Sequence, residues 1–434
     1  MNEYVASEIL TTGWCPLQCA YCYIPKTEKM KQLHKSIISK IRSGEWVESI
    51  KNKEYIGLWG TEPILTILAI KDKLDTIKKN NPRLKEISFS TSMILHPRPF
   101  ADFIIKASEL NIPSIDMQIS LDGPKWITDN NRMQGATEKV IKNTKMLIEM
   151  LNDKKLSTRV KIHWKATLTI DNIRVMNINT SLIHGYYRFF EELTNELKKL
   201  NKNRNVIIEN SSAPTLVVPG KYTTDDGKEL AKFFEYLYQF HYPNTYVYRL
   251  MRTWDYKDEL HKVRMFTCSG GDSNIGFDGK YIHICHRTFY LNNREYIDSI
   301  LNMDKYKNWD VSNFERGSIE NVNKYFIVDP NDEFNTTRFA YVMRGYHDFS
   351  KFRLSATVAL IKELAMAGQA LPIYLKDDRR AELLALFLHT SLSCPMENLL
   401  NTGSIHIVPV SLVRAFANGA FEVLLKEVRR IVSR

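Results

Sequence analysis

The residues best suited to chemistry lie together near the start of the chain, in TTGWCPLQCAYCYIP (11–25). Three of the chain's six cysteines, Cys15, Cys19 and Cys22, fall in this one stretch. Thiolates spaced C-x3-C-x2-C can converge on one metal centre from a single loop. A structural zinc ion takes four protein ligands and closes its coordination sphere, so zinc here requires a distant fourth. A four-iron cluster is ordinarily held by four cysteines. Held by three, it keeps one iron open to a reactive ligand. Zinc and buried thiols are the alternatives to an iron–sulfur cluster.

The elements that must position these thiols alternate, strand then helix, up to about residue 210. EYVASEIL reads as a strand, followed by a helix over Lys31–Ile50. EYIGLW precedes a helix over Thr66–Lys79, and EISFST one from Pro99 to Leu110. SIDMQISL precedes a helix near Ala136–Leu151, VKIHWKATLTI one near Ile183–Leu200, and NVIIEN is a sixth strand. Short β-rich runs alternating with amphipathic segments imply a parallel sheet with right-handed crossovers. Six units are too few to close an eight-unit barrel, so the expected fold is α/β, an open, partial (β/α)6 TIM-like barrel. The cysteine loop follows the first strand, at the end where such barrels build their active sites.

After residue 211 the texture changes. The expected division is a barrel over 1–210, a linker and aromatic helical segment over 211–265, and a C-terminal region over 266–434. SSAPTLVVPGKYTTDDGKE is turn-rich, and CSGGDSNIGFDGKYIHICH reads as a glycine-marked hairpin with a cysteine near each end. The chain from about Asn335 looks mostly helical.

Composition bounds the rest. The 434 residues are 44% apolar and 25% charged, with a formal charge of +11, as in an ordinary globular protein. Much of the lysine alternates with glutamate, as in EELTNELKKLNK, which is the pattern of a solvated surface. No run is long and apolar enough to span a membrane. The N-terminus lacks the basic start and apolar core of a signal peptide, so a cytoplasmic location is expected.

An open iron on which a reactive ligand can bind is what reductive cleavage of S-adenosylmethionine (SAM) requires. The loop resembles the CxxxCxΦC signature of the radical SAM superfamily, matched by Cys15, Cys19, Tyr21 and Cys22. The resemblance implies that the three cysteines hold a [4Fe-4S] cluster and that Tyr21 contacts the SAM adenine. LWGTEPIL is similar to the family's GGEP motif, with Thr61 at the second glycine. Gly60, Thr61, Glu62 and Pro63 would then hold the SAM amino group. Ser90 and Ser92 in FSTSM stand where the family places polar contacts to SAM, or are a polar strand cap.

The fourth strand, QISLDGPKWITDNNRMQGATEKVIKN, resembles the subfamily of anaerobic sulfatase-maturating enzymes and peptide maturases. By that resemblance Ser120 and Asp122 face SAM and Arg132 pairs with its carboxylate or ribose, while Leu168 on the fifth strand flanks the adenine.

The remaining cysteines are Cys268, Cys285 and Cys394. CSGGDSNIGFDGKYIHIC is similar to the opening of the auxiliary-cluster domain called SPASM, or of its shortened form, the twitch domain. Too few cysteines remain for two such clusters. One second, auxiliary iron–sulfur cluster on Cys268, Cys285 and Cys394 is expected, its fourth ligand being His286, His283, an aspartate or the substrate. Three structural thiols are the alternative. His286 occupies the position of a proton-abstracting aspartate in the sulfatase-maturating relatives, which implies a catalytic role; a cluster ligand or a surface histidine are the other readings.

The implied reaction is one-electron cleavage of SAM, fed by a donor such as flavodoxin or ferredoxin, then removal of a hydrogen atom from the substrate. The resemblance favours a peptide or protein substrate, although the chain opens directly on the first strand with no leader-binding domain before it. A nucleic acid is the rival substrate. It rests on the charge and on Tyr246, Tyr248, Arg249, Arg252 and Trp254, within the aromatic segment Phe233–Tyr256, which could stack bases and meet phosphates or fill a core. A non-catalytic metal-binding module is the third reading.

Overall fold

The computed structural model describes residues 6–11, 14–22, 24, 28–211, 214–217, 225, 229, 232–233, 236–237, 240, 242, 274–277, 282–283 and 327–328. Its elements run β1 (Ala6–Thr11), α1 (Glu28–Ser43), α2 (Glu45–Ser49), β2 (Tyr55–Gly60), α3 (Ile64–Lys71), α4 (Leu74–Asn80), β3 (Glu86–Thr91), α5 (Arg98–Glu109) and β4 (Ser114–Ser120). They continue with α6 (Lys125–Asn131), α7 (Ala136–Asn152), β5 (Arg159–Lys165), β6 (Thr167–Thr169), α8 (Ile170–Ile178), α9 (Ser181–Leu200), β7 (Val206–Glu209) and β8 (Thr215–Val217). Three short strands follow: β9 (Asn274–Phe277), β10 (Ile282–His283) and β11 (Ile327–Val328).

The main sheet has the order β11-β10-β9-β1-β2-β3-β4-β5-β7. Strands β1 to β5 and β7 pair parallel with their chain neighbours in that order, the partial TIM-like fold expected. The expected hairpin is present, with β9 antiparallel to β10. Strand β9 joins the sheet by pairing parallel to β1, Ala6 opposite Asn274.

Alternation along the strands separates two faces. On β3, β4 and β5 the side chains of Ile87, Phe89, Ile115, Met117, Ile119, Val160, Ile162 and Trp164 are buried. Phe89 stacks on Phe100 of α5 with ring centroids 5.7 Å apart and meets Phe103 edge-on at 6.3 Å. Trp164 lies 6.2 Å from Phe190 of α9 and donates its indole N–H to Thr194 Oγ1 at 3.0 Å. Each fully buried side chain of this kind contributes roughly 1.5–3 kcal/mol. Successive helices α1, α3, α5, α7 and α9 pack side by side over this face. The alternate positions form the opposite, concave face.

Several elements differ from the sequence expectation. The helix expected over Lys31–Ile50 breaks at Gly44, whose φ of 89° is a left-handed conformation that costs glycine little. The helix expected over Thr66–Lys79 is α3 and α4, separated at Asp72–Lys73. The fifth strand stops at Lys165; residues 167–169 leave the main sheet and pair with β8 instead. Short helices α6 and α8 fill stretches that periodicity does not mark.

The turn from α6 to α7 is fastened by one buried carboxylate. Asp129 accepts hydrogen bonds from Gly135 N, Thr137 N and Thr137 Oγ1 at 2.9, 2.9 and 2.7 Å. Burial pushes its carboxyl pKa up, but the bonds from Thr137 and Gly135 outweigh this and hold it below the ordinary aspartate value. Asp129→Ala strands these donors and is expected to destabilise the fold by about 1–3 kcal/mol, read as a lower urea midpoint with an unchanged slope.

Candidate functional site

The loop from β1 to α1 carries the cysteine triplet at the C-terminal end of the sheet. Cys15, Cys19 and Cys22 are all partly exposed and none is in a disulfide. Cys22 N donates to Cys19 O at 3.0 Å, closing a turn between two of them, and the Cys22 thiol lies 3.7 Å from Ile24 O. Three thiols on one loop are the donor set that a thiolate-held iron–sulfur cluster uses. Among the described residues no three Cys, His, Asp or Glu side chains are gathered as a metal-holding group.

At the same end of the sheet, β2 and β4 each bring a buried carboxylate towards the loop. Gly60 ends β2 with φ 130°, and Thr61 and Glu62 follow before Pro63 opens α3. Glu62 is 2% exposed. Its oxygens accept from Thr91 Oγ1 at 2.6 Å, Ser92 N at 2.8 Å and Ser92 Oγ at 2.5 Å, and its own N–H donates to Trp14 O at 3.3 Å. Burial raises the Glu62 pKa above the ordinary value, against the hydrogen bonds from Ser92, Thr91 and Ile64. Ser92, expected near SAM, thus holds Glu62. Thr91 does so too, a role the sequence does not announce. Ser90 lies on the concave face.

Asp122, just beyond β4, is fully buried. Arg132 grips it with two hydrogen bonds, Nε to Oδ2 at 2.9 Å and a terminal nitrogen to Oδ1 at 2.7 Å. The Tyr21 hydroxyl donates to the same carboxylate at 2.9 and 3.1 Å, and Thr167 N donates at 3.1 Å. The Arg132 guanidinium carbon sits 5.6 Å from the Tyr21 ring centre. Burial, then the Asp122 charge, raise the Tyr21 pKa, against the lowering effect of Arg132. The structure therefore brings Tyr21, Asp122 and Arg132 together, but onto one another.

The loop around Asp122 is set by Thr128, whose hydroxyl donates to Gly123 O at 2.7 Å and accepts from Asp122 N and Gly123 N at 3.1 and 3.0 Å. Gly123 has φ 145°, and a Cβ there would come within 2.9 Å of the Tyr186 ring. Only glycine fits this approach. Ser120 ends β4 opposite Lys165. Leu168 is fully buried in β6.

The concave face holds a polar group that motif reading misses. His163 Nδ1 lies 3.1 Å from Asp116 Oδ1, the two side chains 18% and 23% exposed. Lys161 and Lys165 flank His163 on the same face of β5. The Lys165 ammonium stands 5.9 Å from the Trp59 ring, reaching from β5 to β2. That ring folds onto Gly57, where a Cβ would meet Trp59 Nε1 at 2.2 Å. The signal was present as alternation, DMQIS opposite KIHWK.

Cys268, Cys285, Cys394 and His286 lie outside the described residues, as do Tyr246, Tyr248, Arg249, Arg252 and Trp254. No described helix is long and apolar enough to cross a membrane.

No protein family and no curated protein matches the chain. Among solved structures, it is similar to native anSMEcpe with bound AdoMet. The identity is 16% and the TM-score 0.40, over 70% of this chain and 82% of that one. A structure of native anSMEcpe with bound AdoMet and Cp18Cys peptide is similar at 17% identity and the same TM-score, over 70% and 81% of the two chains.

The raised Glu62 pKa carries a sign. Between the ordinary glutamate value of 4.5 and the raised one, the folded state binds the proton that the unfolded state has lost. Stability therefore falls as pH rises through that window. Glu62→Gln is expected to remove this slope, seen by urea unfolding at a series of pH values; an unchanged slope would refute the assignment.

Proposed function

We propose that this chain is a radical SAM enzyme acting on a polar substrate, a peptide or protein segment in the first instance. The observation that carries the reading is the convergence of three strand ends. The cysteine loop after β1 is bonded to the Glu62 turn after β2 and to the Asp122–Arg132 turn after β4, at the end of the sheet where such barrels do chemistry.

Cys15, Cys19 and Cys22 would hold a [4Fe-4S] cluster. When bound, that cluster supplies the electron that cleaves SAM to methionine and a 5′-deoxyadenosyl radical, which takes a hydrogen atom from the substrate. The rest falls to the chain's own side chains. Glu62 would accept a hydrogen bond from the SAM ammonium group, assisted by Gly60, Thr61 and Pro63. Its carboxylate has hydroxyl and amide donors from Thr91, Ser92 and Ile64 and, among the described residues, no cationic partner. A cation arriving there offsets the cost of burying the charge. Tyr21 would border the adenine, with Ser120 and Leu168 on the neighbouring strands.

The concave face supports a polar substrate. Ser88, Ser90, Gln118 and Ser120 alternate with the buried apolar row, and the Asp116–His163 pair and Lys165 stand over them. Such donors and acceptors suit amide groups rather than an apolar chain. The peptide assignment itself rests on the resemblance of SLDGP, Arg132 and Gly135 to the peptide maturases. A second cluster on Cys268, Cys285 and Cys394, with His286 beside it, completes the reading.

Replacing Cys15, Cys19 and Cys22 together by Ala should abolish 5′-deoxyadenosine formation from SAM under anaerobic reduction and remove about four irons per chain. Unchanged iron would refute the site. Wild-type protein reconstituted to about eight irons supports the auxiliary cluster, whereas about four excludes it as a four-iron centre.

A further inference from the structure

We propose that Tyr21, Asp122 and Arg132 form a clasp that orders the cysteine loop before any metal arrives. The triplet would then be a docked site rather than a slack segment that the metal must fold. That the clasp serves metal loading rests on the reading of the cysteines given above; that it orders the loop does not.

The loop is tied at two places around the cysteines. On one side of Cys15, Trp14 O accepts from Glu62 N at 3.3 Å. Beyond Cys19, Ala20 N donates to Asn131 O at 2.8 Å, and the Tyr21 hydroxyl donates to Asp122 at 2.9 Å. The second tie falls between Cys19 and Cys22, which are themselves joined by the turn bond from Cys22 N to Cys19 O.

The anchor is rigid for physical reasons. The Asp122 and Arg132 side chains are 0% and 7% exposed. Their two parallel hydrogen bonds fix the guanidinium plane beneath the Tyr21 ring. Asn131, which receives the Ala20 bond, donates its side-chain amide to Asn172 Oδ1 at 2.9 Å and Thr167 O at 3.3 Å. The loop is thus fastened to a buried network and not to a mobile surface. A side chain that only borders a ligand would not need its hydroxyl sunk onto a buried carboxylate already held by an arginine fork.

The clasp is tested on metal-free, reduced protein by following alkylation of each cysteine with iodoacetamide, resolved by mass spectrometry. Tyr21→Phe keeps the ring and deletes the hydroxyl; Arg132→Lys keeps the charge and deletes the fork. Both are expected to speed labelling of Cys19 and Cys22 about tenfold, the equivalent of about 1.4 kcal/mol of local order. Cys15, beside the separate Glu62 tie, should change less, and in Tyr21→Phe the thermal midpoint should barely move. Iron uptake at limiting iron should slow in the same variants.

Wild-type labelling rates in Tyr21→Phe, with or without weakened SAM binding, would overturn the clasp. So would a uniform rise at all three cysteines together with a lower thermal midpoint, the mark of general loosening. If Arg132→Lys fails to fold, Tyr21→Phe alone decides. Because this labelling uses neither iron nor SAM, its outcome is separate from that of the cysteine-to-alanine test.

Discussion

The architecture around the cysteines depends on one constraint, the cost of keeping the Asp122 carboxylate away from water. An uncompensated charge at such a site costs several kcal/mol, and removing one partner of a buried pair typically costs about 3–5 kcal/mol. The fold meets this with donors from three separate parts of the chain: Tyr21 from the cysteine loop, Arg132 from the turn after α6, and the Thr167 amide from beyond β5. Arg132 cannot move without stranding the charge, and Tyr21 and the Thr167 amide fill the remaining acceptor positions. The carboxylate therefore acts as a staple between the first strand's loop and the fourth and fifth strands.

The same requirement explains why the fifth strand ends where it does. A strand continued through Ala166 would carry the Thr167 amide into the main sheet. Instead Leu121 N donates to Lys165 O at 3.2 Å, and the chain turns so that Thr167 N meets Asp122. Residues 167–169 then pair with β8. Thr169 caps α8, bonded reciprocally with Asn172, and Asn172 in turn holds Asn131. Glu62 is the contrasting case. It is equally buried, but its described partners are hydroxyl and amide groups, and its pKa rises. Of two carboxylates at the same end of the sheet, Asp122 is paired with an arginine, whereas Glu62 has hydroxyl and amide partners among the described residues.

Much of this was legible in the sequence. Alternating β-rich and amphipathic runs predict the parallel order, and the strand ends carrying Cys15, Glu62 and Asp122 emerge at one end of the sheet. The pairing of Tyr21 with Asp122 was not legible, because a contact across a hundred residues leaves no trace in local periodicity. Motif reading assigns each side chain a ligand outside the protein, whereas hydrogen-bond satisfaction is settled among all neighbours at once. Gly44 breaks the helix expected over Lys31–Ile50, but helical periodicity resumes at Trp46 and Val47, so periodicity alone runs through it. His163 and Asp116 belong to no motif, and only the two-residue alternation of their strands places them on one face.

That alternation has a consequence for what the barrel is. Parallel strands covered on both faces ordinarily read as continuous apolar runs. Here β3, β4 and β5 alternate, with Phe89, Met117 and Ile162 beneath the helices and Ser88, Asp116 and Lys161 opposite one another on the other side. A face lined by a carboxylate–imidazole pair and lysines cannot be closed as a dry core without leaving charges unsatisfied. An apolar strand pattern would suit a packed barrel; this one sets a polar face opposite the helices. Trp59 folds onto Gly57 and the Lys165 ammonium stands 5.9 Å from its ring, which makes that part of the polar face both aromatic and cationic. Among the described residues, helices α1, α3, α5, α7 and α9 pack over the apolar side of the sheet, and the polar side carries the charges that a dry core could not hold.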